Sequence, residues 1–498
     1  MNHFKMFNSL RSKLATLQDM NLNFRLAILS IAVALVFIAL IWIPQMTNAL
    51  FVDEAGSYWG IYHLEIHSVH GETSLYYRIL SIWSSVFGTS EIALRSLSAI
   101  AMFGVLALFA VLSTLRSSVV FFYALPLIAA SYSAVFSAVL ARPYGLGLLV
   151  VMFSIVIQEY AARSRKTFWL PFASAIYALA LYFHPTFIFI APAFALQFWQ
   201  SPAAQPRRRI LVFSLVVFGI VAAPAIQHSL SLFNREHSLS FVEGPVTLEM
   251  IAAFLIPKLM GVTVLIALAT KGLIYKRSEF LSPGAWSNFR EGLVWFLSVK
   301  LTALIAALLV NPAFLVPRYS LFADFGEVVM VAALLTSIKS SSVRNLMWVG
   351  TLTISLAPWL LQSFPDTAWR PAMEYARRQQ ARNCTLFAIP GFVEAKNFEL
   401  VSREPTASFI RSPLTYYNLQ AELIPFELTS ANELGYFERQ IAPKALAQSC
   451  NLLLLWSMAN PRDPGPAALL KLLKDNNFNR RSEFVAGTVR VLHLERLP

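Results

Sequence analysis

The feature that most restricts this chain is a succession of long apolar runs with almost no charge inside them. The first, Leu26 to Pro44, has none. A helix rising about 1.5 Å per residue crosses the hydrocarbon of a bilayer in roughly twenty residues, so this run reads as a span. Ten more follow: Leu97 to Leu115, Val119 to Leu140, Tyr144 to Ile157, Phe168 to Phe183, Pro185 to Phe198, Ile210 to Ile226, Met250 to Ala269, Leu293 to Val310, Gly326 to Ile338 and Leu346 to Leu361. In hydrocarbon every backbone polar group must be satisfied within the element, which leaves helices for runs of this length. The expected fold is a polytopic α-helical membrane protein with about eleven transmembrane helices over residues 1–364. Composition agrees, with 57% of the 498 residues hydrophobic and 13% charged. Soluble domains carry about twice that charged fraction, so a soluble enzyme and a disordered chain are both excluded. The first run is also longer than the apolar core of a signal peptide and lacks a convincing small-x-small cleavage site.

A net charge of +13 raises the question of an anionic partner such as nucleic acid. From Pro365 onward there are 16 Lys and Arg against 13 Asp and Glu, so the apolar part carries most of the excess. Alternating the spans from a cytoplasmic N-terminus puts Arg116, then Arg163, Arg165 and Lys166, then Arg207, Arg208 and Arg209, then Lys271, Lys276 and Arg277, then Lys339 and Arg344 on one side. That is the positive-inside pattern; it accounts for the charge without nucleic acid. The expected topology is multi-pass, with a cytoplasmic N-terminus and the C-terminus outside.

The tail, 365–498, alternates helix with short apolar strand. Helices are expected at Trp369 to Ala381, Tyr436 to Gln448 and Ala467 to Asn476, and strands at Cys384 to Pro390, Asn451 to Met458 and Val485 to Leu494. This predicts a small extracytoplasmic α/β domain with a largely parallel sheet. Cys384 and Cys450, the two cysteines of the chain, each open a predicted strand. An oxidising compartment permits a disulfide. Two separately buried thiols are favoured here, because adjacent parallel strands often give poor disulfide geometry.

Chemistry on an outer substrate requires polar residues at outer helix ends. The long first outer loop, 45–95, opens with Phe51-Val52-Asp53-Glu54-Ala55. A carboxylate just above the lipid surface suits a general base for an acceptor hydroxyl; the plainer reading is that Asp53 caps a short interfacial helix. Further outer corners are Ala141-Arg142-Pro143-Tyr144, Tyr182-Phe183-His184-Pro185 and Pro317-Arg318-Tyr319. Each alone reads as snorkelling or an aromatic anchor. Together, Arg142 and Arg318 suit a clamp on a lipid phosphate. Lys258, beside Pro257, joins that phosphate if its span begins near Met260. Lys300 has no assigned role. There is no P-loop, dinucleotide fingerprint, zinc-type histidine pair or nucleophile elbow. Adjacent Asp53 and Glu54 admit a divalent metal, but two neighbouring carboxylates do not establish one, and no other cofactor is expected.

Taken in order, Asp53-Glu54-Ala55, Leu75-Tyr76-Tyr77, Trp83, Phe87-Gly88, Ser90-Glu91, Leu94-Arg95-Ser96-Leu97-Ser98, Ala141-Arg142-Pro143-Tyr144, Pro317-Arg318-Tyr319 and Trp369-Arg370 resemble the GT-C glycosyltransferases of the dolichyl-phosphate-mannose-protein mannosyltransferase type, in the bacterial group related to aminoarabinose and galacturonic acid transferases of lipopolysaccharide. The resemblance implies an inverting enzyme that moves one sugar, hexose or pentose, from a polyprenyl-phosphate carrier to a glycan, glycolipid or protein acceptor on the periplasmic face. It makes Asp53 the base, with Glu54 supporting it or orienting the acceptor. Arg142, Tyr144, Lys258, Arg318 and Tyr319 become donor-phosphate residues, and Glu72, Tyr76, Tyr77 and His184 acceptor or sugar contacts. Members often carry His-Pro-Pro where this chain has Glu72-Thr73-Ser74, which bears on specificity more than on reaction class. The alternative from another class is a transporter or lipid flippase, disfavoured because no repeated half is visible. An oligosaccharide transferase is disfavoured by the lack of a Trp-Trp-Asp run in the tail. A non-catalytic envelope-assembly protein would leave Asp53 dispensable.

Overall fold

The structure, a computed structural model, describes residues 25–64, 74–200, 208–236, 245–256, 259, 283–338, 340–361, 369–396, 398–456 and 461–497. Helix α1 is Arg25–Met46, followed by α2 (Val52–Tyr62), α3 (Ser74–Phe87), α4 (Glu91–Arg116), α5 (Val120–Ala130), α6 (Tyr132–Val139) and α7 (Tyr144–Ser164). Next come α8 (Trp169–Leu179), α9 (Ala191–Gln200), α10 (Arg208–Glu236), α11 (Leu248–Leu255), α12 (Pro283–Leu309), α13 (Leu321–Thr336) and α14 (Ser341–Leu361).

Among the described residues five helices are long and apolar enough to cross a membrane, or six if the bent pair α5 and α6 is one span. The expected number of eleven is therefore not what these residues show. The Val119 to Leu140 run breaks at Ser131 by 58°, where the serine hydroxyl caps α6 by accepting from Ala134 N at 3.2 Å. Phe168 to Phe183 and Pro185 to Phe198 form shorter apolar helices separated at His184. The run from Met250 to Ala269 falls mostly outside the described residues. Leu40, Ile220 and Leu309 are each more than half exposed, an apolar surface of the kind that lipid covers. Helices α12 and α13 approach until a Cβ on Gly292 would stand 2.6 Å from the Gly326 carbonyl oxygen, the close backbone contact that small residues permit.

The tail contains α15 (Arg370–Gln380), β1 (Thr385–Ile389), α16 (Phe398–Ser402), α17 (Thr406–Tyr416), β2 (Glu422–Leu423), α18 (Ala431–Tyr436), α19 (Ala442–Ala447), β3 (Cys450–Leu455), α20 (Pro464–Asp475), β4 (Phe478–Ala486) and β5 (Val489–Arg496). Its sheet has the order β2-β1-β3-β5-β4. β1 pairs parallel with β2 and β3, while β3–β5 and β4–β5 are antiparallel. The sheet is thus mixed, not largely parallel: the expected strand Val485 to Leu494 is two strands of a hairpin that turns at Gly487, whose φ of 57° suits glycine. The expectation of free thiols is also corrected. Thr385 stands opposite Asn451, so Cys384 faces Cys450 at a Cα separation of 4.6 Å, and the two form a disulfide.

The tail packs onto the α2 end of the bundle. Trp59 Nε1 donates to Ser408 Oγ at 3.0 Å, Tyr416 Oη to the Thr89 carbonyl at 3.1 Å, and Arg370 Nη2 to Glu91 at 2.7 Å and to the Thr47 carbonyl at 3.0 Å.

A bridge across a sequence separation of 66 contributes up to about 4 kcal/mol by constraining the unfolded chain. Cys450→Ala is expected to lower the unfolding temperature of the tail, followed by its loss of protease resistance on heating; an unchanged transition would contradict a structural role for the bridge.

Candidate active site

The α2 end of the bundle is organised around two charges with no solvent exposure, Arg95 and Glu54. Glu54 sits in the first turn of α2 and accepts from Phe51 N at 2.6 Å, which fixes where that helix begins. Arg95, one turn into α4, meets both carboxylate oxygens, Nε to Oε1 at 2.8 Å and Nη2 to Oε2 at 2.6 Å. Its remaining donors reach the carbonyls of Gln45, Met46, Asn48 and Ala49. Ala141 N also donates to Glu54 Oε1, at 2.7 Å. One ion pair therefore ties the 45–51 segment, the start of α2 and the 141–143 corner together. Gly145 completes that corner: a Cβ there would lie 2.8 Å from the Ser137 carbonyl oxygen and 3.0 Å from that of Ser98.

This platform sets Asp53 and Arg142 beside each other. Arg142 Nη1 donates to the Asp53 carbonyl at 2.9 Å, and Arg318, from the short turn Pro317–Tyr319, pairs through Nη1 with Asp53 Oδ2 at 2.8 Å. The Asp53 and Arg318 side chains keep 15% and 13% exposure, enough for a substrate to reach them. Asp53 lies in the first turn of α2, where the positive end of the helix favours an anion. Arg318 thus pairs with the Asp53 carboxylate while Arg142 holds its main chain, and two neighbouring guanidiniums suit a phosphate.

The aromatic residues form the wall. The His184 ring lies 4.9 Å from that of Tyr144 and 5.8 Å from that of Tyr319, and Tyr319 lies under the Arg318 guanidinium at 5.1 Å. His184 occupies the break between two helices, with Nδ1 2.7 Å from Thr186 Oγ1. Burial, then the nearby charges of Arg142 and Arg318, push its imidazole pKa well below the usual value, so it is neutral at pH 7. Arg318 has its own pKa raised, with Tyr319 and Asp53 outweighing the opposing effect of burial.

Six of the residues expected from sequence thus come together: Asp53, Arg142, Tyr144, His184, Arg318 and Tyr319. Glu54 does not face the site; its carboxylate is enclosed by Arg95 and two amides, which corrects a direct catalytic or acceptor-orienting role. Tyr76 and Tyr77 are not among the six. Both rings are buried in the core, and Tyr77 fills the space a Cβ on Gly60 would need. Glu72 and Lys258 lie outside the described residues. Sequence reasoning missed Tyr132 and Asp324. Ser133 Oγ donates to Asp324 at 2.5 Å, and the Tyr132 phenol lies within the electrostatic reach of Arg318 and Asp324. Lys300 Nζ, which sequence left without a role, lies 3.2 Å from Ser320 Oγ, directly after the Arg318 turn. Glu54 faces Arg95 and Asp53 faces Arg318, so the two adjacent carboxylates are engaged separately. Among the described residues the cluster with metal-ligand spacing is Cys384, Cys450 and His493, and its two sulfurs are bonded to each other.

No family model matches the sequence, and no curated protein matches it. Among solved structures, the chain is similar to ArnT from Cupriavidus metallidurans in the apo state, at 10% identity and a TM-score of 0.44, over 94% of this chain and 97% of that one. The same enzyme bound to undecaprenyl phosphate gives 11% identity and a TM-score of 0.45 over the same shares. The apo oligosaccharyltransferase of Archaeoglobus fulgidus gives 12% and 0.36, over 81% of this chain and 69% of that one. At TM-scores this low the likenesses decide nothing about chemistry, which has to be argued from the site.

Removing one partner of a buried ion pair costs about 3–5 kcal/mol, whereas removing both costs far less. Arg95→Met is therefore expected to lower thermal stability in detergent sharply, and adding Glu54→Gln to recover much of the loss; a double variant no better than the single would contradict the pairing. His184 gives a pH test. Its folded pKa lies below the unfolded one of about 6.5, so the stability it contributes is full above that pH and is lost as pH falls. His184→Gln should flatten the fall in melting temperature between pH 7.5 and 5.5, and an unchanged slope would count against a buried neutral imidazole.

Proposed function

We propose that this protein is an inverting GT-C glycosyltransferase, moving a single hexose or pentose from a polyprenyl-phosphate carrier to a glycan, lipopolysaccharide or protein acceptor at the periplasmic face of the inner membrane. The observation that carries this reading is the Asp53–Arg318 contact beside Arg142, one carboxylate and two guanidiniums at the end of a bundle of apolar helices. Cations placed where negative charge develops stabilise a phosphate leaving group. A carboxylate next to them supplies the base that an alcohol acceptor needs.

In this reading the donor phosphate takes donors from Arg142 and Arg318, and its arrival loosens the hold of Arg318 on Asp53 Oδ2. The acceptor hydroxyl oxygen attacks the anomeric carbon from the side opposite the phosphate. The bond from that carbon to the phosphate oxygen breaks, and its electron pair leaves on the polyprenyl phosphate. The hydroxyl proton passes to Asp53. A single displacement inverts the anomeric centre and requires no second carboxylate nucleophile. His184, neutral and flanked by Tyr144 and Tyr319, lines the pocket for the sugar without adding a third charge.

Asp53→Asn keeps the shape and the Arg142 contact, which uses the main-chain carbonyl, but removes the base. Transfer is expected to fall at least about 100-fold with matched protein levels; undiminished turnover would overturn the assignment. Arg318→Ala is expected to weaken retention of undecaprenyl phosphate, the probe used, much more than acceptor affinity. Equal changes in both apparent KM values would contradict the phosphate clamp.

A further inference from the structure

A well-formed cavity lies away from Asp53. Its volume is about 720 Å³, within the range of small-molecule sites. It is lined by the end of α4 at Arg116, the start of α5 at Ser118 to Val120, Glu159 and Arg163 of α7, and Arg290 and Glu291 of α12. Arg95 and the Asp53 site stand at the other end of α4. That helix has 26 residues, so about 39 Å separates its ends, and the two sites belong to opposite membrane faces.

The wall is built around charge. Arg116 donates from Nε to Glu159 Oε2 at 2.9 Å and from Nη1 to Glu291 Oε2. Arg163 Nε donates to Glu159 Oε1 at 2.7 Å, and Gln197 Nε2 to Glu291 Oε1 at 2.6 Å. Every oxygen of the two carboxylates thus already accepts a hydrogen bond. Among the described residues the acids pair with Arg116 and Arg163, and Arg290 is exposed at the rim, three guanidiniums against two carboxylates. The first residues of α5 and α12 line the cavity together with the last turns of α4, α7 and α13, so the helix ends facing it carry both signs.

We propose that this cavity is a second binding site, on the membrane face opposite Asp53, for a phosphate ester, with Arg163 and Arg290 as its phosphate contacts and a phospholipid headgroup or a soluble phosphate as the source. The proposal does not depend on the sugar-transfer reading.

The test uses the full chain in detergent. Native mass spectrometry with phosphatidylglycerol should show one retained lipid that survives in Arg318→Ala, which separates it from the Asp53 site. Retention should fall at least about fivefold in the Arg163→Ala/Arg290→Ala double variant, whose side chains lie at the rim and are not required for folding; circular dichroism and melting temperature check that. Diacylglycerol, which lacks the phosphate, should not be retained. Stabilisation by inorganic phosphate alone, lost in the same variant, would assign the site to a soluble phosphate and uphold it. Retention of phosphatidylglycerol equal in the wild type and the double variant, equal retention of diacylglycerol, or no response to either phosphate probe would overturn it.

Discussion

The buried pair of Arg95 and Glu54 is the contact on which the α2 end of the molecule depends. Taking two charges out of water costs several kcal/mol each, so such a pair persists only when the remaining hydrogen-bonding capacity is filled. Here it is filled by backbone. Four carbonyls of residues 45–49 and the amides of Phe51 and Ala141 converge on the two side chains. An irregular segment at a membrane surface would otherwise have unsatisfied polar groups. The same bonds place Asp53 and Arg142 to within a fixed distance of each other. The arrangement therefore holds the catalytic candidates through main chain rather than through contacts a substrate must displace.

The tail reinforces that platform from the other side. Tyr417 Oη donates to Glu91 and accepts from Leu50 N, each at 3.2 Å, and Arg370 reaches Glu91 and the Thr47 carbonyl. Residues 47–50 are thus held between α4 and the tail. Burial, with the charge of Glu91 next, raises the Tyr417 pKa, which keeps its hydroxyl a donor. This physical link makes the tail part of the structure that positions α2, whatever else it binds.

Much of this was legible in the sequence, for reasons that differ by residue. Apolar run length gave the helices, and charged corners after those runs gave Asp53, Arg142 and Arg318, because polar residues at the ends of apolar helices have few other places to be. The division between Asp53 and Glu54 was not legible. Neighbours on a helix point about 100° apart, so one faces the pocket and the other Arg95, and only the phase of α2 decides which. The burial of Tyr76 and Tyr77 was hidden for the same reason: the motif fixes their identity but not the face that α3 turns to the core. The bend at Ser131 was hidden inside an apolar run and the turn at Gly487 inside an expected strand, where a single small residue interrupts the element. The disulfide depended on strand register, which sequence does not supply.

The most direct test of the account is mass spectrometry of envelope glycans from cells with and without this protein. A sugar-by-sugar comparison is predicted to show one glycan lacking a single residue when the protein is absent, with its polyprenyl-phosphate-linked form accumulating. Identical glycan profiles and carrier pools in the two strains would contradict the central claim.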